Sequence, residues 1–191
     1  MLKNSQHVYK IECVLAPIDL KPTIKNLARF YVYEFSRYTG EDFPKDGLFE
    51  AFETSFNFDK YWDNKNYYPF IFHVDNQLAG FALINKKGSS VDIDWYLAEF
   101  YIVAKFQNKG IGRHIAMHLF AQFSGVWEVM QIPNNIPALS FWRKIIQQLT
   151  GGQYTETLTQ IQTPHPHQMI VHKFQNKEHT TDTSLIKTQS N

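Results

Sequence analysis

The stretch Gln107-Asn108-Lys109-Gly110-Ile111-Gly112-Arg113 sets two glycines between a run of strand character at 95–103 and a run of helical character at 111–123. A strand, a glycine turn and a helix start in direct succession leave few ways to fold, and together they also form a place for an anion. With no Cβ at Gly110 and Gly112 the main chain can approach a ligand closely. The unpaired N–H groups of the first helical turn then face that ligand with the helix dipole behind them. Phosphate suits such a turn, and so does a plain chain reversal with no ligand at all.

The 191 residues are enough for one domain with a buried core. Hydrophobic residues make up 43% and charged residues 19%, and the net charge is +1. That balance gives no basis for a nucleic-acid or membrane surface and leaves small molecules as the default partner. The single cysteine, Cys13, excludes a disulfide framework or a cysteine metal cluster within one chain. The opening Met1-Leu2-Lys3-Asn4-Ser5-Gln6 has no signal-peptide apolar core, and no run reaches transmembrane length. The expectation is a soluble cytoplasmic protein.

Residues 8–15 alternate, with Val8, Lys10, Glu12 and Val14 on one side and Tyr9, Ile11, Cys13 and Leu15 on the other, and read as a strand. Asp19 and Pro22 announce a helix in which Ile24, Leu27, Ala28, Tyr31 and Phe35 recur at helical spacing up to Gly40. The segment 41–66 scatters Phe43, Phe49, Phe52, Phe56, Phe58, Tyr61 and Trp62 among acids and admits one short helix near 48–54. Strands follow at 67–74 and 78–85, joined by Asp75-Asn76-Gln77, and the turn at 86–90 leads into a third strand of this meander. Past the glycine turn, Gly112, Ile115, Ala116, Leu119, Phe120 and Phe123 share one helix face. A strand at 126–132 comes next, then a helix opened by Pro137 over 138–149 and closed by Gly151-Gly152. Strands at 153–162 and 168–174 end a single domain of residues 1–174, and 175–191 form a polar tail.

This order, with three local blocks, resembles the GCN5-related N-acetyltransferase (GNAT) family, whose members move an acetyl group from acetyl-CoA to an amine. Gln107-Asn108-Lys109-Gly110-Ile111-Gly112 matches the family's Arg/Gln-x-x-Gly-x-Gly/Ala loop. Glu99-Phe100-Tyr101-Ile102 is similar to its Glu-Leu-Tyr-Val strand, and Asn135-Ile136-Pro137-Ala138-Leu139-Ser140-Phe141-Trp142 to its Asn-x-x-Ala-x-x-Leu/Phe-Tyr block. Flanking segments such as Tyr68-Pro69-Phe70-Ile71 and Trp127-Glu128-Val129 look like a small bacterial subgroup of acetyltransferases with no assigned substrate. The resemblance spans about residues 8–174. It implies an α/β (α+β) GNAT fold: a mixed, mostly antiparallel sheet of about seven strands with about four helices, splayed between the fourth and fifth strands.

Roles follow from the resemblance residue by residue. Gln107, Asn108, Lys109, Gly110, Ile111, Gly112 and Arg113 correspond to the loop that holds the CoA pyrophosphate. Tyr101, Ile102 and Val103 lend main chain to the CoA arm, which enters between the splayed strands like an extra strand. Asn135 helps to position that arm, or simply caps a helix before Pro137, and Trp142 borders the same site or only packs on its amphipathic helix. Lys105, Lys109 and Arg113 either screen phosphate or form a solvated rim. An attacking amine must shed a proton, and a nearby carboxylate is the usual acceptor. Glu99 matches the general base of many relatives, and burial there would raise its pKa; the other reading is a structural acid bonded to a neighbouring strand or loop. A backbone N–H near Ile102 would stabilise charge developing on the thioester oxygen.

The chain departs from the family at Trp142, where many relatives carry a tyrosine that protonates the departing thiolate. An indole N–H donates hydrogen bonds but is no usable acid. Either no acid is needed or a tyrosine from elsewhere serves, with Tyr33, Tyr38 and Tyr154 considered and Tyr154 taken as the catalytic candidate. The family's acceptor pocket comes from its first helices, which points to Tyr33 and Tyr38 as substrate-binding residues, with Glu34, Asp42 and Asp46 favouring a cationic amine. No metal is expected, since His114 and His118 stand off the apolar stripe and His165-Pro166-His167 reads as a loop tip. Cys13 sits among apolar residues, so direct transfer in a ternary complex is expected over an acyl-enzyme. A non-catalytic acyl-CoA-binding module of the same fold is the alternative, and a homodimer is compatible with either.

Overall fold

The computed structural model describes residues 8–40, 42, 45–47, 58–162 and 166–176. The chain runs through β1 (Ile11–Leu15), a 3-10 turn (Ile18–Leu20), α1 (Lys21–Thr39), α2 (Lys60–Asp63), β2 (Tyr67–Val74), β3 (Gln77–Asn85) and β4 (Trp95–Ile102). A second 3-10 turn (Ala104–Phe106) leads to α3 (Ile111–Gln122), β5 (Gly125–Gln131), α4 (Ile136–Thr150), β6 (Tyr154–Ile161) and β7 (His167–Asn176). The seven strands form one sheet in the order β1-β2-β3-β4-β5-β7-β6. Every neighbouring pair is antiparallel except β4 and β5, which are parallel. Among the described residues the chain adopts the expected mixed, mostly antiparallel sheet, with four helices.

Local chemistry accounts for most boundaries. The β2–β3 hairpin turns on Asp75 and Asn76 alone, whose φ values of 49° and 61° are those of a two-residue turn that matches strand twist. Gln77, expected in that turn, instead pairs with Val74 in the ladder. Helix α1 has Pro22 in its first turn and stops at Gly40, where φ is 73° and the N–H reaches the Ser36 carbonyl. Among the described residues, none of the helices is long and apolar enough to cross a membrane. The helix expected near 48–54, with Phe43, Phe49, Phe52, Phe56 and His165, lies outside the described residues. Strand β7 extends to Asn176, two residues into the expected tail, because the Asn176 amide is buried and donates to the Phe120 carbonyl.

Helices cover both faces of the sheet. Ile24, Leu27, Ala28 and Val32 of α1 pack on Ile71, Phe81, Leu83 and Tyr101. On the opposite face, Ile115, Leu119 and Phe120 of α3 and Ile145 and Ile146 of α4 meet Phe72, Trp127, Val129 and Phe174. Burying one such side chain completely stabilises the fold by about 1.5–3 kcal/mol, so these two layers carry most of the driving force.

A bulge divides β4. Leu83 opposes Glu99, yet the next residue, Ile84, opposes Leu97, so Ala98 is the extra residue. Leu97 and Glu99, which a regular strand would put on one face, lie on opposite faces: Leu97 under α3 and α4, Glu99 with Leu83 on the α1 side.

A polar ladder ties α4 to the far end of the sheet. Both oxygens of Glu156 on β6 take hydrogen bonds from Arg143, at 2.6 and 2.7 Å, and one also meets His172 Nε2 at 2.8 Å. Burial keeps the His172 pKa below its ordinary value against the pull of Glu156, so that contact is a hydrogen bond of a neutral imidazole. Arg143, and secondarily His172, hold the Glu156 carboxyl down at about 2 against the opposing effect of burial. A depressed carboxylate adds stability that is complete above its unfolded pKa and lost as pH falls through the folded one. Glu156→Gln should therefore cost about 1–2 kcal/mol at neutral pH, after allowance for partial exposure of the pair. In urea titrations at several pH values the difference from wild type should shrink between about pH 4.5 and pH 2.

Candidate active site

The parallel pairing of β4 with β5 lasts only from Trp95↔Trp127 to Leu97↔Val129. Beyond it the strands part, and a cleft of about 370 Å³ opens between them. Phe100, Tyr101 and Ile102 form the β4 wall, and Val129, Met130 and Gln131 the β5 wall. Ala138 and Trp142 of α4 close one side, Tyr31, Glu34 and Tyr38 of α1 the other, and Gln107 and Asn108 stand at the glycine-turn end.

Strand alternation decides which main-chain groups face this opening. The Val103 N–H is taken by the Ala79 carbonyl at 2.8 Å, so Val103 and Tyr101 direct their peptide groups to β3. Phe100 and Ile102 point theirs the other way, toward the cleft. The Ile102 carbonyl accepts from Gln107 Nε2 at 2.7 Å, which leaves its N–H as the group for a ligand. Of the three residues expected to lend main chain, only Ile102 is so disposed. Tyr101 contributes its side chain instead, its hydroxyl donating to Glu34 Oε1 at 3.2 Å.

At the turn, Asn108 and Gly110 both take left-handed backbone, with φ of 58° and 77°, and Gly110 is the N-cap of α3. The first N–H engaged inside the helix is that of His114, at 3.0 Å from the Gly110 carbonyl. The N–H groups of Ile111, Gly112 and Arg113 precede it and are the orphan donors of the helix start. Ile111 buries its side chain and can offer a ligand only main chain. The guanidinium of Arg113 is held by Gln148 of α4, at 2.6 and 3.0 Å, and Lys105 by Gln77, while Lys109 is exposed. A negative ligand here meets backbone first.

Glu99 is half-buried on the α1 side beside Tyr31 and Tyr96. Desolvation pushes its carboxyl up to about 8, against the lowering effect of a hydrogen bond from the Tyr31 hydroxyl. Burial, and after it the neighbouring Glu99, drive the Tyr31 pKa well above its ordinary value, so Tyr31 stays a donor. Glu99 itself stands behind the cleft wall, and Tyr31 lines it. Tyr31, which the sequence places only in the apolar repeat of α1, thus links Glu99 to the cleft. The signal was available in α1, where Tyr31, Glu34, Phe35 and Tyr38 fall at i, i+3, i+4 and i+7 and all reach the cleft.

Tyr33 lies off that face, is 50% exposed and does not line the cleft, so of the two expected acceptor tyrosines only Tyr38 is in place. Tyr154 is two strands from the cleft, on β6 beyond β7, with its ring 5.8 Å from that of His172. The structure does not bring it to the site. Trp142 does line the cleft, buried edge-on against Phe100 at 5.2 Å and Phe141 at 4.9 Å. Asn135, also in the wall, caps α4 by accepting from the Ala138 N–H at 3.2 Å, so its amide nitrogen is the atom left for a ligand. His118 hydrogen-bonds Gln122, and the half-buried Cys13 has its thiol pushed up to about 12 by burial, which removes its nucleophilic form at neutral pH.

The model of the acetyltransferase (GNAT) family matches residues 32–146, more than half of the 191-residue chain. Among curated proteins nothing matches the chain. Similar solved structures include the histone acetyltransferase HPA2 and related acetyltransferase of Corynebacterium glutamicum, with a TM-score of 0.59 at 12% identity over 90% of this chain and 99% of that one. The ribosomal-protein-S18-alanine N-acetyltransferase of Escherichia coli gives 0.53 at 12% identity, covering 91% and 98%. The PaiA N-acetyltransferase of Thermoplasma acidophilum, in complex with coenzyme A, gives 0.52 at 12% identity, covering 87% and 99%. At these identities the likeness to each structure is one of fold.

Proposed function

Because the chain belongs to the acetyltransferase (GNAT) family, we propose that its cleft takes acetyl-CoA and passes the acetyl group to a primary amine of a small molecule or peptide. Transfer is direct, within a ternary complex. The observation that carries this reading is the parting of β4 and β5 just after Leu97↔Val129, with the glycine turn at the mouth of the opening. On this reading the chain through the end of β7 at Asn176 acts as one N-acetyltransferase domain in the cytoplasm.

The pyrophosphate lies against the N–H groups of Ile111, Gly112 and Arg113. A helix terminus contributes only about 0.3–1 kcal/mol per charge, so burial of the arm and its bonds to β4 supply the rest. The Ile102 N–H reaches the arm or the thioester oxygen. On the α1 side, Glu34 and Tyr38 receive the amine, and Glu99 takes its proton through Tyr31 or one water. The new N–C bond forms, the C–S bond breaks, and the thiolate is protonated from solvent, because Trp142 has no proton to give.

A second reading, a binding module without turnover, is favoured by Trp142 at the acid position and by the distance of Tyr154 from the cleft. Purified protein, acetyl-CoA and a broad amine panel decide between them. Thiol release with some amine supports transfer. Thermal stabilisation by acetyl-CoA with no turnover on any amine supports the module, and no stabilisation ends both.

A further inference from the structure

Gln131 is the last residue of β5, two positions beyond the final β4–β5 pair, and it lines the cleft with Asn135 and Trp142. It is only 4% exposed, yet neither Nε2 nor Oε1 has a hydrogen-bond partner among the described residues. Its strand neighbours on the same face, Trp127 and Val129, are apolar core. An amide at the end of this apolar row weakens the free protein, since a buried donor and acceptor are both left unmade. Across the opening, β4 turns the peptide groups of Phe100 and Ile102 toward it. The two walls therefore offer one kind of chemistry, amide donors and acceptors, around a narrow slot.

We propose that Gln131 is a positioning residue for the donor, its carboxamide pairing with an amide of the pantetheine arm while β4 main chain holds the arm's other edge. This rests on the reading that the cleft takes acetyl-CoA. Such an arm is a short chain carrying two secondary amides, each an N–H and a C=O to be satisfied on leaving water. Gln131 can match either of them. The glycine turn, in contrast, serves only the phosphate end.

Gln131→Leu tests the assignment by calorimetry with two ligands, acetyl-CoA and 3′,5′-ADP, the second of which has no arm. Acetyl-CoA should bind about tenfold more weakly to the variant, the loss of roughly one hydrogen bond, with 3′,5′-ADP affinity unchanged. The free variant should melt higher than wild type, because a buried unpaired amide has been removed, while its acetyl-CoA-induced shift is smaller. A purely structural residue would not produce that opposition. Gln131→Met, closer in shape, serves the same comparison if the leucine variant does not fold. Unchanged acetyl-CoA affinity, or an equal loss for both ligands, overturns the inference alone. Failure of the wild-type chain to bind acetyl-CoA removes the inference together with the reading beneath it.

Discussion

Glu99→Gln should lower kcat/KM by about 10²–10⁴ on whichever amine the panel identifies, with acetyl-CoA affinity little changed. The size follows from loss of a general base. The affinity is spared because Glu99 lies on the α1 side, away from the glycine turn and from Gln131. A base works only when deprotonated, and burial raises this carboxyl to about 8. Wild-type kcat/KM should therefore climb with pH up to about 8 and then level, and in the glutamine variant that limb should be gone. Tyr31→Phe removes the hydrogen bond that lowers the Glu99 pKa, so its limb should move to higher pH.

The same group leaves a mark on stability. The folded state keeps the Glu99 proton up to about 8, whereas the unfolded chain releases it near 4.5. The stability of wild type relative to Glu99→Gln should therefore be greatest below that lower value and fall as pH rises toward 8. An activity profile of the variant parallel to that of wild type, with a small loss in rate, would leave Glu99 as a structural acid.

Gly80→Ala is expected to have the largest effect on the fold, a loss of about 2–4 kcal/mol in denaturant unfolding. A Cβ at Gly80 would stand 2.0 Å from the Tyr101 carbonyl oxygen and 3.1 Å from the Phe72 ring, and its φ of 152° is one that side-chain-bearing residues rarely adopt. Main chain cannot swing aside as a lysine would. The displaced segment is the part of β4 next to Ile102, so the melting shift caused by acetyl-CoA should shrink as well. Gly112→Ala is the comparison: its Cβ would meet only side chains of Ile102 and Phe141 at 3.4 Å, ordinary contact, and stability should stay within about 1 kcal/mol of wild type. A Gly80→Ala protein as stable as that one would mean β3 and β4 have room to separate.

Several features were legible because they are local. Asp75-Asn76 can take the backbone of a tight hairpin, Gly40 and Gly151 end helices in left-handed conformation, and Gly110 opens α3 after a strand. The helical repeat of α1 was legible too, though which of its faces would line a cleft was not. Tyr33 and Tyr154 show the limit. Both are tyrosines on elements near the right part of the chain, and their distance from the cleft depends on helix phase in one case and on β7 lying between β5 and β6 in the other.

Element order, the glycine turn and the apolar faces of the helices were determined by the sequence itself, since periodicity and glycine conformation act over a few residues. The opening between β4 and β5, the placement of Glu99 across the sheet from Leu97, and the burial that raises its pKa were decided only in the tertiary structure. The reason is physical: the parity of a strand is set by the partner it pairs with. One extra residue at Ala98, visible only against Leu83 and Ile84 of β3, reverses which side chains face the helices on either side.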